Sequence, residues 1–374
     1  MTHVLNGLTK KDSLALKGIA ILFMLFHHLY CSLDRFENYT VDFSPFSQDT
    51  VVSVALFFKI CVSIFAFITG YGLLRSIAKT PLNRKSVFKW NITRLIKTMS
   101  GFWLIYVLSF IVSMIIDARP LEVYFGGSRA KGVLYFLLDF LGLANFFDTP
   151  TLCGTWWYMS AAIVFILIIP LIYMVSRKVG YLPVILVIVA LPRLLNVGYP
   201  GGVNAYSFIL PVVFGMLFAE YKVFERISDK LPKNKFASWA VSFVVFGVLG
   251  VASFILFRVY PQHEGWEFNY GIVPVIVICF ARYCLIRIPA PKQVFAFLGK
   301  HSMTIFLTHT FIRGIYLSDF VYSFKNFMLI YVVLFVLSVV LAVIIDVLTD
   351  LVKYHQLIAK LNQKISAYID KAKV

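Results

Sequence analysis

The segment Leu14-Ala-Leu-Lys17-Gly-Ile-Ala-Ile-Leu-Phe-Met-Leu-Phe-His27-His28-Leu-Tyr30 sets the class of fold. Its apolar length is close to the ~20 residues that cross a bilayer as a helix. One cation interrupts it near the start and two histidines near the end. Ionisable groups at membrane depth are costly and tend to be there for function. Lys17 and His28 are eleven residues apart. At 3.6 residues per turn this is about three turns and roughly 16 Å of rise, so both project from one helix face. His27 points about 80° away from that line.

Composition extends the membrane reading to the whole chain. Of 374 residues, 60% are hydrophobic and only 14% charged, with a mean hydropathy of +0.83. A soluble domain carries about 25% charged residues, which excludes a soluble core of this size. Apolar runs recur from end to end and leave no segment for a separate soluble domain, so residues 1–374 read as a single membrane unit. The net charge is +17. Its cations fall in short loops between apolar runs, where they encode topology and meet anionic headgroups, so no nucleic acid partner is expected. The five cysteines form no CxxC or metal-ligand spacing and read as small core residues, with no metal site. No small-residue cleavage signal follows the first apolar run, which therefore reads as an uncleaved span.

Loop charge orients the spans. Lys10, Lys11 and Lys17 put the amino terminus in the cytoplasm. The following loop holds Asp34, Glu37, Asp42 and Asp49 against Arg35 alone and reads as external. Spans near 14–30, 51–74, 95–116, 155–175, 180–196, 204–220, 237–258, 270–288, 302–317 and 327–349 then leave every strongly basic loop inside. This solution requires the short run 133–147, which contains Asp139, to be re-entrant or peripheral. The external loop 261–269 carries Glu264 and Glu267. The expectation is an all-α polytopic protein with about ten transmembrane helices and both termini cytoplasmic. Arg193, Arg282 and Arg313 are expected to face the bundle interior, and Gly70 and Gly72 to permit close helix approach.

On that frame, several short motifs resemble the acyltransferase 3 family of bacterial integral-membrane O-acyltransferases. They are Lys17, ten intervening positions and His28; Thr69-Gly70-Tyr71; Arg94-Leu-Ile-Lys97; Thr155-Trp156-Trp157-Tyr158 leading to Pro170; Phe208-ILPVVFGMLFAE; and Phe297-LGKHSMTIFLTHTF, which contains His309. Lys17 stands where the family often has Arg. The resemblance implies a multi-pass enzyme of the bacterial cytoplasmic membrane. It would transfer an acyl group, most often acetyl from acetyl-CoA, to a hydroxyl of a cell-surface or lipid-linked carbohydrate.

That chemistry needs a base, because a sugar hydroxyl is a poor nucleophile at neutral pH. His28 is the candidate, either as general base or as acyl acceptor, with His27 and His309 as further catalytic candidates. The alternative for each is interhelical hydrogen bonding. Coenzyme A carries phosphates, and Lys17, Arg75, Arg94 and Lys97 near the inner ends of the first spans are candidates to grip them. Trp156, Trp157 and Tyr71 are the candidate substrate contacts, a belt role at the membrane interface being the competing reading for the tryptophans. A secondary transporter or flippase for a glycolipid or small polar solute is the alternative function, since buried His and Arg also serve proton relays.

Overall fold

The computed structural model describes residues 7–196, 202–260 and 265–371; Glu264, expected in the acidic external loop, lies outside the described residues. The helices are α1 Lys10–Tyr30, α2 Gln48–Phe57, α3 Ile60–Ile77, α4 Arg84–Ile116, α5 Arg119–Phe125, α6 Arg129–Phe140, α7 Trp157–Val179, α8 Tyr181–Leu194, α9 Ile209–Glu220, α10 Val223–Lys230, α11 Lys235–Val259, α12 Val273–Phe280, α13 Pro289–Lys300, α14 Ser302–Thr310, α15 Ser318–Tyr322, α16 Phe327–Leu351 and α17 Tyr354–Lys371. Among the described residues no strand forms, and the β-type pairing consists of an isolated bridge between Asp42 and Asn326.

Among the described residues, seven helical stretches are long and apolar enough to cross a membrane. The count is eight if Tyr206–Glu220 and Val223–Lys230, bent by 64° at their junction, form one span. Each of the ten expected segments coincides with a helix, but α8 has only 14 residues, and α14 has 9 before passing into a π-helical turn. A crossing takes ~20 residues, so length alone does not carry these as spans. Helix α6 is 12 residues long. Its Asp139 is buried and accepts hydrogen bonds from Tyr124 Oη (2.5 Å), Thr151 Oγ1 (2.9 Å) and the Leu152 amide (2.8 Å). Burial pushes this carboxyl above the usual aspartate range, against the pull of those donors.

Helix α1 is the spine of the bundle, with Ala15, Ala20, Leu25 and Leu29 fully buried. It starts in a capping box: Thr9 Oγ1 accepts from the Asp12 amide (3.1 Å) and Asp12 Oδ2 from the Thr9 amide (2.9 Å). Asp12 also pairs with Lys292 Nζ (2.6 Å), and Arg282 approaches to 4.0 Å. Two reciprocal glycine crossings bring helices to backbone contact. A Cβ at Gly18 would overlap the Phe295 carbonyl, and one at Gly299 the Leu14 carbonyl, so α1 and α13 touch directly. Gly70 against Val212 and Gly215 against Phe67 do the same for α3 and α9. Gly72, the other expected packing glycine, faces open space.

From the Gly299–Leu14 contact onward, α14 runs alongside α1 in the same direction. His301 Nδ1 bonds Asp346 Oδ2 (2.5 Å), and Thr304 donates to Asp346 Oδ1 (2.8 Å), which pins α14 to α16. Tyr30 Oη donates to the Phe327 carbonyl (2.6 Å), tying α1 to α16 as well. Of the three arginines expected inside, Arg282 is buried and Arg313 half-buried. Arg193 departs from the expectation: it is exposed and pairs with Glu267, because α8 lies at the periphery.

Candidate active site

The adjacent histidines of α1 have different surroundings. His27 is buried, and its Nδ1 donates to the Ala55 carbonyl at 2.7 Å, joining α1 to α2. His28 is half-buried and faces α14, its ring centroid 4.9 Å from that of His309. The 80° offset between neighbouring positions separates a side chain that ties helices together from one that meets another imidazole.

His309 is fully buried. Its Nδ1 donates to the carbonyls of Phe306 (2.8 Å) and Ile305 (3.2 Å). Carbonyl oxygens only accept, so the neutral ring carries its proton on Nδ1 and keeps a lone pair on Nε2. Thr310 Oγ1 lies 3.3 Å from that nitrogen, Thr155 Oγ1 3.1 Å from Thr310, and Cys153 Sγ 3.2 Å from Thr155. His28 has the opposite tautomer. Arg35 Nη1 donates to His28 Nδ1 (3.0 Å) and to the His28 carbonyl (2.6 Å), so the neutral ring carries its proton on Nε2. Two imidazoles of complementary protonation thus meet at one end of α1, their planes tilted by 38°.

Arg35 was not among the residues anticipated for this site, although it is the lone cation of an acidic loop, seven positions past His28. Arg313 joins it across a polar hollow of about 350 Å³ that also includes Asp34, Asn38, Tyr39 and Ser318. Arg313 stands on the π-helical turn Phe311–Tyr316, whose wider winding follows immediately on His309.

The four candidate donor cations lie toward the other end of α1. Lys17 is half-buried and has no hydrogen-bond or ion-pair partner among the described residues. Arg75 Nη1 donates to the Leu8 carbonyl (3.1 Å) and lies over the Tyr71 ring. Arg94 donates to Ser76 Oγ and lies over Trp90. Lys97, one turn further along α4, is exposed. Tyr71 belongs to this end too: its hydroxyl accepts from the Leu8 amide at 3.0 Å, far from His28.

The tryptophan pair differs in burial. Trp156 is buried and its Nε1 donates to the Leu307 carbonyl (3.0 Å), fixing the turn that carries His309. Trp157 is half-buried, and both tryptophans line a cavity of about 170 Å³ with Asn145, Asp148 and Ser160. Thr155, between the cavity-lining Gly154 and Trp156, contacts Thr310 at 3.1 Å.

A family model describing an acyltransferase domain matches residues 14–347, which include Lys17, the histidine pair, both tryptophans and His309. The chain belongs to the acyltransferase 3 family. It is an acyltransferase, a multi-pass membrane enzyme that moves an acyl group to a hydroxyl. No curated protein and no solved structure matches it. The family match stops within α16, so α17 lies outside it. Among the described residues no group of acidic, histidine or cysteine side chains is arranged to hold a metal ion.

Proposed function

We propose that this acyltransferase takes acetyl from acetyl-CoA at the amino-terminal end of α1 and delivers it, at the His28 end, to a hydroxyl of a cell-surface or lipid-linked carbohydrate. The observation that carries the reading is the contact of His28 with His309, ring centroids 4.9 Å apart, about three helical turns from the cation Lys17 on the same α1 face. We assign the membrane to the bacterial cytoplasmic membrane and the fold to ten spans in one unit with both termini inside. Basic loops support that orientation, since Arg84, Lys85, Arg177, Lys178 and the lysines of α17 then all lie inside.

In this reading Lys17, Arg75, Arg94 and Lys97 grip the phosphates of coenzyme A, with Tyr71 under Arg75. Lys17 supports the role because, with no partner among the described residues, its charge is available to a ligand. Trp157 offers an aromatic face to the sugar, and Trp156 holds the His309 turn. His28 accepts the proton as the acceptor oxygen attacks the thioester carbon. The tetrahedral intermediate then collapses, the carbon–sulfur bond breaks, and the departing thiolate takes that proton. His309 steadies the protonated ring through its free Nε2 lone pair, while His27 remains structural.

Purified protein that consumes acetyl-CoA and releases the free thiol in the presence of an acceptor glycan, and loses this activity in His28→Ala with its unfolding temperature unchanged, meets the proposal. Wild-type turnover in that variant defeats it.

A further inference from the structure

The hollow beside the histidines has a charge problem that the acyl-transfer chemistry leaves unexplained. Arg35 and Arg313 both line it, and among the described residues neither forms an ion pair. Arg35 is held by a neutral imidazole and a carbonyl. The Arg313 Nε is buried with no hydrogen-bond partner among the described residues. Asp34, the acid in the lining, accepts instead from Ser32 Oγ. Two guanidinium groups that share a recess repel each other, and partly buried cations without a counter-charge are costly. The recess, about 350 Å³, is within the ~300–1,000 Å³ typical of small-molecule sites. Planar guanidinium forks match phosphate and carboxylate oxygens.

We propose that Arg35 and Arg313 form a subsite for an anionic group, phosphate or carboxylate, carried by the hydroxyl acceptor. The identity of the occupant as acceptor rests on the acyl-transfer reading above; the anion site itself does not. A consequence follows for His28. Arg35 caps its Nδ1 lone pair, and its guanidinium pairs more strongly with an anion, where both partners are charged and the contact is two-pronged, than with the single neutral nitrogen of an imidazole. The anion therefore draws Arg35 away and frees the base only when an acceptor is present.

Thermal unfolding of the full chain in neutral detergent, at matched ionic strength, tests this with glucose 1-phosphate, glucuronate, glucose and phosphatidylglycerol as probes. At least one of the two anionic sugars is expected to raise the unfolding temperature, and glucose is not. In R35Q and in R313Q the half-maximal concentration should rise on the order of tenfold, the loss of one charge-assisted hydrogen bond. R258Q, exposed on α11, should leave it unchanged, and R35K and R313K should keep part of the response. Stabilisation by acetyl-CoA should persist in all, reporting an intact fold and donor end. Equal stabilisation by glucose, or unchanged responses in both glutamine variants, overturns the subsite. An arginine-sensitive response to phosphatidylglycerol alone overturns the acceptor assignment, since the recess then holds a lipid headgroup. If acetyl-CoA neither stabilises the protein nor is consumed while the arginine-sensitive sugar response remains, the subsite stands and the donor reading falls.

Discussion

Arg35 holds His28 twice through one nitrogen, at 3.0 Å to the ring Nδ1 and at 2.6 Å to the carbonyl. The loop after α1 thereby folds back over the end of its own helix. It fixes the tautomer of the imidazole that faces His309, and it leaves the ring's lone pair covered at rest.

The two α1 histidines should separate cleanly in function. His28→Ala is expected to lower thioester turnover by roughly 10²–10⁴-fold, the contribution of a positioned base. His27→Ala should leave turnover within a few-fold and cost about 1–3 kcal/mol of stability, because the Ala55 carbonyl loses its donor. Turnover paired with thermal unfolding on both variants checks this; the reverse pattern would reassign the base to His27.

His309 is expected to act with its hydroxyl neighbours. Thr310→Val and Thr155→Val remove the contacts at 3.3 and 3.1 Å and keep side-chain volume. Both should reduce turnover less than His309→Ala does, with little change in acetyl-CoA affinity. Donor binding weakened as much as turnover would show that these residues serve the fold and not the reaction.

The start of α1 should be a stability hot spot. Asp12 is 1% exposed, caps the helix and pairs with Lys292. Asp12→Ala should cost about 3–5 kcal/mol, since it removes the carboxylate that Lys292 pairs with at 2.6 Å together with the helix cap. Lys292→Met should cost less, its side chain being 26% exposed. A drop in unfolding temperature of equal size in both variants would contradict this ordering.

Asp139 gives a pH signature with a defined sign. Its carboxyl is raised by burial, so between the ordinary aspartate value near 4 and the raised value the folded chain holds a proton that the unfolded chain has lost. The corresponding stability is present at acid pH and is lost as pH rises through that window. Unfolding temperatures measured across it should fall more steeply for the wild type than for Asp139→Asn, and parallel profiles would argue against the shift.

Close packing should be intolerant at the α1–α13 crossing. Gly299→Val sets a side chain against the Leu14 carbonyl, and Gly72→Val meets open space. The first variant should fail to accumulate folded protein, and the second should accumulate normally, as read by size-exclusion profiles in detergent.

Much of this molecule was legible from residue order, because period and charge are local properties. The helical class, the positions of the apolar segments, the Lys17–His28 alignment and the short α6 all follow from helix periodicity and the cost of charge in lipid. His309 was singled out as part of a motif, and the fold brings its ring to 4.9 Å from that of His28. The doublets were only half legible: helix geometry separated the directions of His27 and His28, but nothing local showed that Trp156, and not Trp157, would be buried and hold the Leu307 carbonyl. Tyr71 was grouped with the substrate contacts, yet its hydroxyl holds Leu8 at the other end of the bundle.

Primary structure alone determined that a cation and an imidazole would share one membrane helix, since both belong to the same helical stripe. Only the folded bundle decided what meets that imidazole. His309 lies 281 positions away in the chain and reaches His28 because glycines let α13 touch α1 and send α14 along it. Arg35 and Arg313 converge for the same reason: the contacts between distant segments depend on how helices cross, and that is set by packing across the whole bundle.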